Sequence, residues 1–385
     1  MKISRSITLV TLACWIFAVG ILIAPRASCA GAVTWEATVG AQTTDKGIQA
    51  LAFLPNGLWI HAGDSIMWTF PTPEIHTVTF LQQNTNPEQF RPARPGVGPQ
   101  GGCPHPPGMP NTTPDGSSFD GSTCLTSPEL ADGRTYTVMF PAAGNFKLVC
   151  LVHNNMTGAV HVLGPHDTLP HDQAFYDDQA QNQETELLSD GAALQLRATA
   201  TAEQSSEDAN SNTNSDGTAV TVGIGEIVST GEGSDTVSVM RFQQNTIVVH
   251  VKDTVEWTNL DPVTAHTVTF GFPNSDPAPP QLPSSPTSPP VGMLVTVDSD
   301  LARHADVTSP TDDVHSGFLV AALQERGPPP PVPPLPNPPP AFAPLPQSPL
   351  TVTHFRVTFT TPGTFNYRCI LHDNLGMKGQ VIVLR

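Results

Sequence analysis

The chain carries one pattern twice, and this duplication limits what it can fold into more than any other feature. FLPNGLWIHAGDSIMWTF (Phe53 to Phe70) matches FQQNTIVVHVKDTVEWTN (Phe242 to Asn259) in spacing. EIHTVTF (Glu74 to Phe80) is then answered by TAHTVTF (Thr264 to Phe270). Last, YTVMFPAAGNFKLVCLVHNNMTGAVHVL is answered by FRVTFTTPGTFNYRCILHDNLGMKGQVIVL. The order is the same in both copies, so the sequence reads as a tandem duplication, with too few copies for a solenoid.

Within each copy the pattern is that of strands. Leu58-Trp59-Ile60-His61, His76-Thr77-Val78-Thr79-Phe80 and Tyr136-Thr137-Val138-Met139-Phe140 alternate or are rich in β-branched and aromatic residues, and Gly, Pro, Asn and Asp bound them. No stretch inside either copy holds a helical period. The expected fold class is all-β: two Greek-key β-sandwich domains, over residues 31–164 and 217–385.

The rest of the 385 residues divides by composition. Lys2 and Arg5 precede an apolar run from Ile7 to Ile23, and Ser28, Cys29 and Ala30 offer a small-residue cleavage site, so residues 1–30 read as a signal peptide. The expected location is therefore extracytoplasmic: periplasmic, cell-surface or secreted. No later stretch is long and apolar enough to span a membrane. Half of the remaining negative charge falls in residues 165–216, about −10 against about −4 before it and −6 after it, which marks an acidic linker. Its Ala-, Gln-, Glu- and Leu-rich part, Asp172 to Ala200, is the one candidate helix. EQSSEDANSNTNSDG beyond it has no apolar residues to bury and is expected to be disordered. Each copy also carries an insertion, roughly 81–134 and 271–350. The second holds more than half of the chain's 41 prolines and is expected to form polyproline II or a surface loop. A net charge of −17 without clustered Lys or Arg argues against nucleic acid as a partner.

Four cysteines remain after the leader. Cys103 and Cys124 share one Gly/Pro-rich loop and are expected to pair in an oxidising compartment. Cys150 and Cys369 could in principle pair with each other, but their matched surroundings argue that each serves its own copy of a site. Cys150, His153 and Met156 lie on one short loop between two strands, and His76 ends an earlier strand. The second copy repeats the set as His266, Cys369, His372 and Met377. A soft thiolate, two imidazoles and a thioether form the donor set that copper accepts in both oxidation states; two histidines and a cysteine with a weak axial methionine make an electron-transfer copper site.

On these residues each copy resembles a cupredoxin, the blue (type 1) copper family of plastocyanin, azurin and amicyanin. The early ligand stands in His-Thr-Val-Thr-Phe in both copies. The terminal loop is Cys-x2-His-x2-Met in the first, similar to amicyanin, and Cys-x2-His-x4-Met in the second, similar to plastocyanin and pseudoazurin. The resemblance implies an exported electron carrier with two coppers per chain and donor and acceptor proteins as redox partners. It implies that His153 and His372 present ring edges at the surface as the electron exit. Thr77 and Thr267, standing where the family often has Asn, become candidates for hydrogen bonds near the sulfur.

Two other classes compete. A copper oxidase or nitrite reductase on this fold needs further histidines, but no His-x-His occurs, and Val149, Leu151, Arg368 and Ile370 flank the cysteines. The expectation is therefore no catalysis. A copper store, delivery protein or surface module would use the same ligands without redox turnover. His61 and His250, at matching strand positions, are expected to share a packing role.

Overall fold

Alternation decides the strands. Ser65–Phe70 buries Ile66, Trp68 and Phe70 and turns the intervening residues outward, and Thr254–Leu260 does the same with Val255, Trp257 and Asn259. The computed structural model describes residues 31–83, 112–153, 155–211, 218–271, 295–298, 302–317, 319 and 354–385. The leader, Cys103 and most of the proline-rich stretch lie outside these residues.

The first half contributes β1 (Thr34–Gln42), β2 (Ile48–Leu54), β3 (Gly57–His61), β4 (Ser65–Phe70), β5 (Thr79–Phe80), β6 (Ser117–Ser118), β7 (Leu125–Thr126), β8 (Arg134–Met139), β9 (Gly144–Val149) and β10 (Thr157–Leu163). After the helix α1 (Gln173–Ser211), the second half contributes β11 (Thr218–Ser229), β12 (Ser234–Val239), β13 (Thr246–His250), β14 (Thr254–Leu260), β15 (Thr269–Phe270), β16 (Val295–Val297), β17 (Arg303–Val307), β18 (Val314–His315), β19 (His354–Phe359), β20 (Gly363–Arg368) and β21 (Lys378–Leu384). The chain is thus mostly β-sheet, with one long helix among the described residues.

In the first half β2-β1-β4-β8-β6 form one run of paired strands and β3-β10-β9-β5-β7 another. One core takes residues from both runs: Trp35, Trp68 and Tyr136 meet Leu58, Phe80, Phe146 and Val160. The second half repeats this with β12-β11-β14-β19-β17-β16 and β13-β21-β20-β15-β18 around Val220, Trp257, Phe355, Ile247, Phe270 and Val381. Parts of both insertions belong to this framework. β6 and β7 come from the first, and β16, β17 and β18 from the second.

The halves are not tethered beads: Val33–Arg385 forms one compact unit. β2 pairs antiparallel with β12, joining Leu51 to Thr236, Ala50 to Val237, Gln49 to Ser238 and Ile48 to Val239. This seam is self-complementary. Ala41 faces Ala50 across β1 and β2 as Ile224 faces Val239 across β11 and β12, which makes Gln49 the counterpart of Ser238. Gln49 and Ser238 pair with each other, and the flanking pairs exchange around them, as in the isologous interface of a two-fold dimer.

α1 lies across the seam. The Asp172 carboxylate accepts from the Phe175 N–H at 3.0 Å and caps the start. Leu187, Leu188 and Leu194 then pack on Ala50, Leu54, Ile48 and Val237. Gly191 permits this approach, since a Cβ there would stand 2.3 Å from Ile48 Cγ2 and 2.6 Å from Val237 Cγ2. The helix also runs on to Ser211, through the first part of the segment expected to be disordered, the rest of which lies outside the described residues. A helix nucleated by packing gains one hydrogen bond per added residue, so polar composition alone does not stop it.

Candidate metal centres

Each early histidine is fixed by a backbone bridge. His76 N–H donates to the Leu130 carbonyl at 3.0 Å and Leu130 N–H returns a bond at 2.9 Å; His266 and Leu319 do the same at 3.0 and 2.8 Å. Both leucines come from stretches read as insertions, whose role as ligand supports the sequence reading missed. Glycine makes room behind each ring. A Cβ on Gly40 would lie 2.7 Å from His76 Nε2, and one on Gly223 2.2 Å from His266 Nε2.

The cysteine loops close alike despite their different lengths. Cys150 N–H donates to the Met156 carbonyl at 3.0 Å, and Cys369 N–H to the Met377 carbonyl at 3.1 Å. The two extra residues of the second loop are taken up in a 3-10 turn, Asp373–Leu375, ended by Gly376 at φ 92°. Met156 and Met377 are fully buried, each in the same cluster as its cysteine.

Three donor atoms converge in each half. In the first, His76 Nδ1 and His153 Nδ1 are 3.1 Å apart and Cys150 Sγ is 3.8 Å from His153 Nδ1. In the second, His266 Nδ1 and His372 Nδ1 are 3.1 Å apart, with Cys369 Sγ at 3.4 Å from His372 and 3.9 Å from His266. A triangle with the second set of sides has its centre about 2 Å from every corner, which is the length of a metal–imidazole bond. These residues fit a metal ion held by two imidazoles and one thiolate, with nothing else needing to move. Cys150 and Cys369 are both free. Cys124 is disulfide-bonded, while its expected partner Cys103 lies outside the described residues.

The sulfurs are prepared as thiolates. Burial pushes both thiols up, but hydrogen bonds and charge from His153 and His76 override it at Cys150. The charge of His372 and hydrogen bonds from His266 and His372 do so at Cys369, so both are held well below the usual thiol range. Burial would also lower the imidazoles. Cys150 and Glu74 instead push His153 up to about 10, and Asp261 and Cys369 push His266 up to about 9. His76 is lowered by burial and by the neighbouring His153 charge. A metal cation entering either triangle would replace protons there. Thr77 and Thr267 act through their backbone: their N–H groups point at Cys150 Sγ (3.5 Å) and Cys369 Sγ (3.3 Å). Their hydroxyls accept from Leu151 and Ile370 N–H at 2.8 and 2.9 Å, tying the ligand strands together.

The expected surface exit is not formed. His153 and His372 are 2% and 4% exposed, because the seam brings the two metal ends of the halves against each other. Both rings turn Nε2 toward one side chain, Glu74, with His153 at 3.2 Å from Oε1 and His372 at 3.7 Å from Oε2. Burial alone would raise the Glu74 carboxyl, but the surrounding imidazoles hold it at about 2. A second carboxylate, Asp261, is fully buried and stands 3.6 Å behind His266 Nε2 as an ion-pair neighbour; no ion pair to an acid is found at His76 among the described residues, and neither Nε2 has a hydrogen-bond partner. Glu74 and Asp261 were overlooked in the sequence. The one signal for Glu74 was asymmetry, since it aligns with Thr264 ahead of the shared His-Thr-Val-Thr-Phe. His61 and His250 do not share a packing role. His61 Nε2 reaches the Asp167 carbonyl at 2.8 Å, whereas His250 is exposed beside Asp253.

No family model and no curated protein matches the sequence. The structural neighbours are cupredoxins. A Cu(I) methionine-to-glutamine mutant of amicyanin is 15% identical with a TM-score of 0.21, covering 34% of this chain and 82% of its own. Oxidized plastocyanin from Dryopteris crassirhizoma is 16% identical with a TM-score of 0.20, covering 43% and 99%. The donor geometry, and not this likeness, carries the site. No helix among the described residues is long and apolar enough to cross a membrane.

Proposed function

We propose that the chain is an exported copper protein with two type 1 centres, each at the end of a cupredoxin-like sandwich, that transfers electrons and catalyses nothing itself. His76, Cys150, His153 and Met156 would hold one copper, and His266, Cys369, His372 and Met377 the other. The observation that carries this reading is the doubled triangle of Nδ1, Nδ1 and Sγ atoms, all 3.1–3.9 Å apart in the second half. Bound copper supplies a one-electron couple. The protein's part is to hold the donors in one arrangement for both oxidation states, keep water out and donate N–H groups to the sulfur. Buried, cross-braced ligands support that rigidity. Unidentified donor and acceptor proteins are the proposed partners, and export rests on the leader segment.

A copper store is the second reading, favoured by the burial of both outer histidine edges, which removes the exposed ring a docking partner would use. Voltammetry of the copper-loaded chain separates the two. The carrier reading expects reversible one-electron waves from both coppers and slow loss to a chelator. Copper that is electrochemically silent but is surrendered to a chelator would overturn it in favour of storage.

A further inference from the structure

We propose that Glu74 is the bridge through which the two centres exchange electrons inside one chain. This rests on the two-copper reading above. Glu74 is 6% exposed, and its carboxylate lies between the outer edges of one candidate ligand histidine from each half, 3.2 Å from His153 Nε2 and 3.7 Å from His372 Nε2. The opposite edges of the same rings carry the donor atoms, His153 Nδ1 beside Cys150 Sγ and His372 Nδ1 beside Cys369 Sγ. A continuous path therefore runs from one triangle to the other through two imidazoles and one carboxylate, with no gap longer than 3.7 Å.

The choice of side chain follows from donor and acceptor chemistry. With Nδ1 turned to the metal position, the ring proton of each histidine sits on Nε2, so both edges are donors. The two edges face different oxygens, Oε1 within hydrogen-bond reach of His153 at 3.2 Å and Oε2 at ion-pair distance from His372 at 3.7 Å, so the side chain needs an acceptor oxygen on each side. A carboxylate has two and an amide one. The symmetry of the seam sharpens the point. The counterpart of Glu74 is Thr264, whose hydroxyl meets Ser238 at 3.3 Å, so the junction holds one such acid where a duplicated one would set two anions together. The step is balanced within the chain. One electron leaves Cu(I) in one centre, which becomes Cu(II), and reduces Cu(II) in the other. No bond breaks, both Nε2 protons stay in place, and no other reactant is needed.

The test uses the full copper-loaded chain, reduced by a radiolytic pulse at about one electron per protein, with absorbance followed at varied protein concentration. The wild type is expected to show a redistribution phase independent of concentration. Glu74→Gln, with one acceptor for two donors, is expected to keep two coppers and the thiolate–copper absorption while slowing that phase about tenfold or more, the loss typical of groups that orient metal ligands. Glu74→Ala should be at least as slow, and if it loses copper, Glu74→Gln alone decides. A Glu74→Gln protein with two coppers and an unchanged rate overturns the proposal, as does a wild type without the concentration-independent phase. A wild type that binds fewer than two coppers instead sinks the underlying reading, and copper analysis shows this before any pulse.

Discussion

Replacing Gly223 by alanine tests the ligand cradle with one added carbon. Gly223 is in β11 with no left-handed backbone, so the substitution acts through space alone. The new Cβ would meet His266 Nε2 at 2.2 Å and Cδ2 at 2.6 Å, where ordinary contact begins at 3.4 Å. The ring must therefore retreat by about 1.2 Å, whereas metal sites tolerate about 0.2 Å in ligand position. It has little free space: His372 Nδ1 lies 3.1 Å away on one edge and Asp261 3.6 Å away on the other. Overpacking of this kind costs about 1–3 kcal/mol, which leaves the fold intact and the second centre disrupted. Metal analysis of Gly223→Ala should fall from two coppers to one per chain, with about half the thiolate–copper absorption and a first centre unchanged by electron paramagnetic resonance. Two coppers with a wild-type spectrum would refute the cradle. Gly40→Ala is the companion for the first centre, where the clash is 2.7 Å and φ +77° adds about 1–2 kcal/mol of backbone strain.

Other expectations concern charge. Asp261→Asn removes the anion behind His266, which favours Cu(II), so the potential of the second centre should rise while the first stays fixed. Each tenfold change in relative affinity moves it by roughly 60 mV, and an unchanged or lower potential in voltammetry would contradict the role. Asp235, buried at the seam, is raised to about 7 by burial against the weaker opposing effect of its Asn56 hydrogen bond, from 3.8 in the unfolded chain. The folded state thus holds a proton that the unfolded state releases. The stability this provides is complete below pH 3.8 and is lost as pH rises through about 7, by roughly 4 kcal/mol at most. Urea denaturation between pH 5 and 8 should show the loss in the wild type and a flatter profile in Asp235→Asn; parallel profiles would refute it.

The candidate metal-holding groups were legible because metal binding constrains residue type and spacing at once. The order His, Cys, His, Met in two copies named eight positions, and the structure gathers the six histidines and cysteines into two triangles. The strands were legible from the alternation around Trp68 and Trp257, which buries every second residue. What lay between the halves was hidden. The seam pairs Ala50 with Val237 and Gln49 with Ser238, residues that any strand could contain, and nothing local marks an edge as taken. Without the seam, His153 and His372 read as surface ligands, Glu74 as one more polar residue before a motif, and the acidic segment as a tether. Gly191 shows the same limit, since its meaning depends on Ile48 and Val237 beneath it, far away in sequence.

The central claim is that one chain holds two thiolate–copper centres, each with its own ligand set, and copper stoichiometry combined with visible absorption tests it most directly. The chain reconstituted with Cu(II) should bind two coppers and turn blue, with Cys150→Ser and Cys369→Ser each retaining one copper and about half the absorption. A colourless protein, a wild type with one copper or none, or the loss of both coppers from either single replacement would contradict the account.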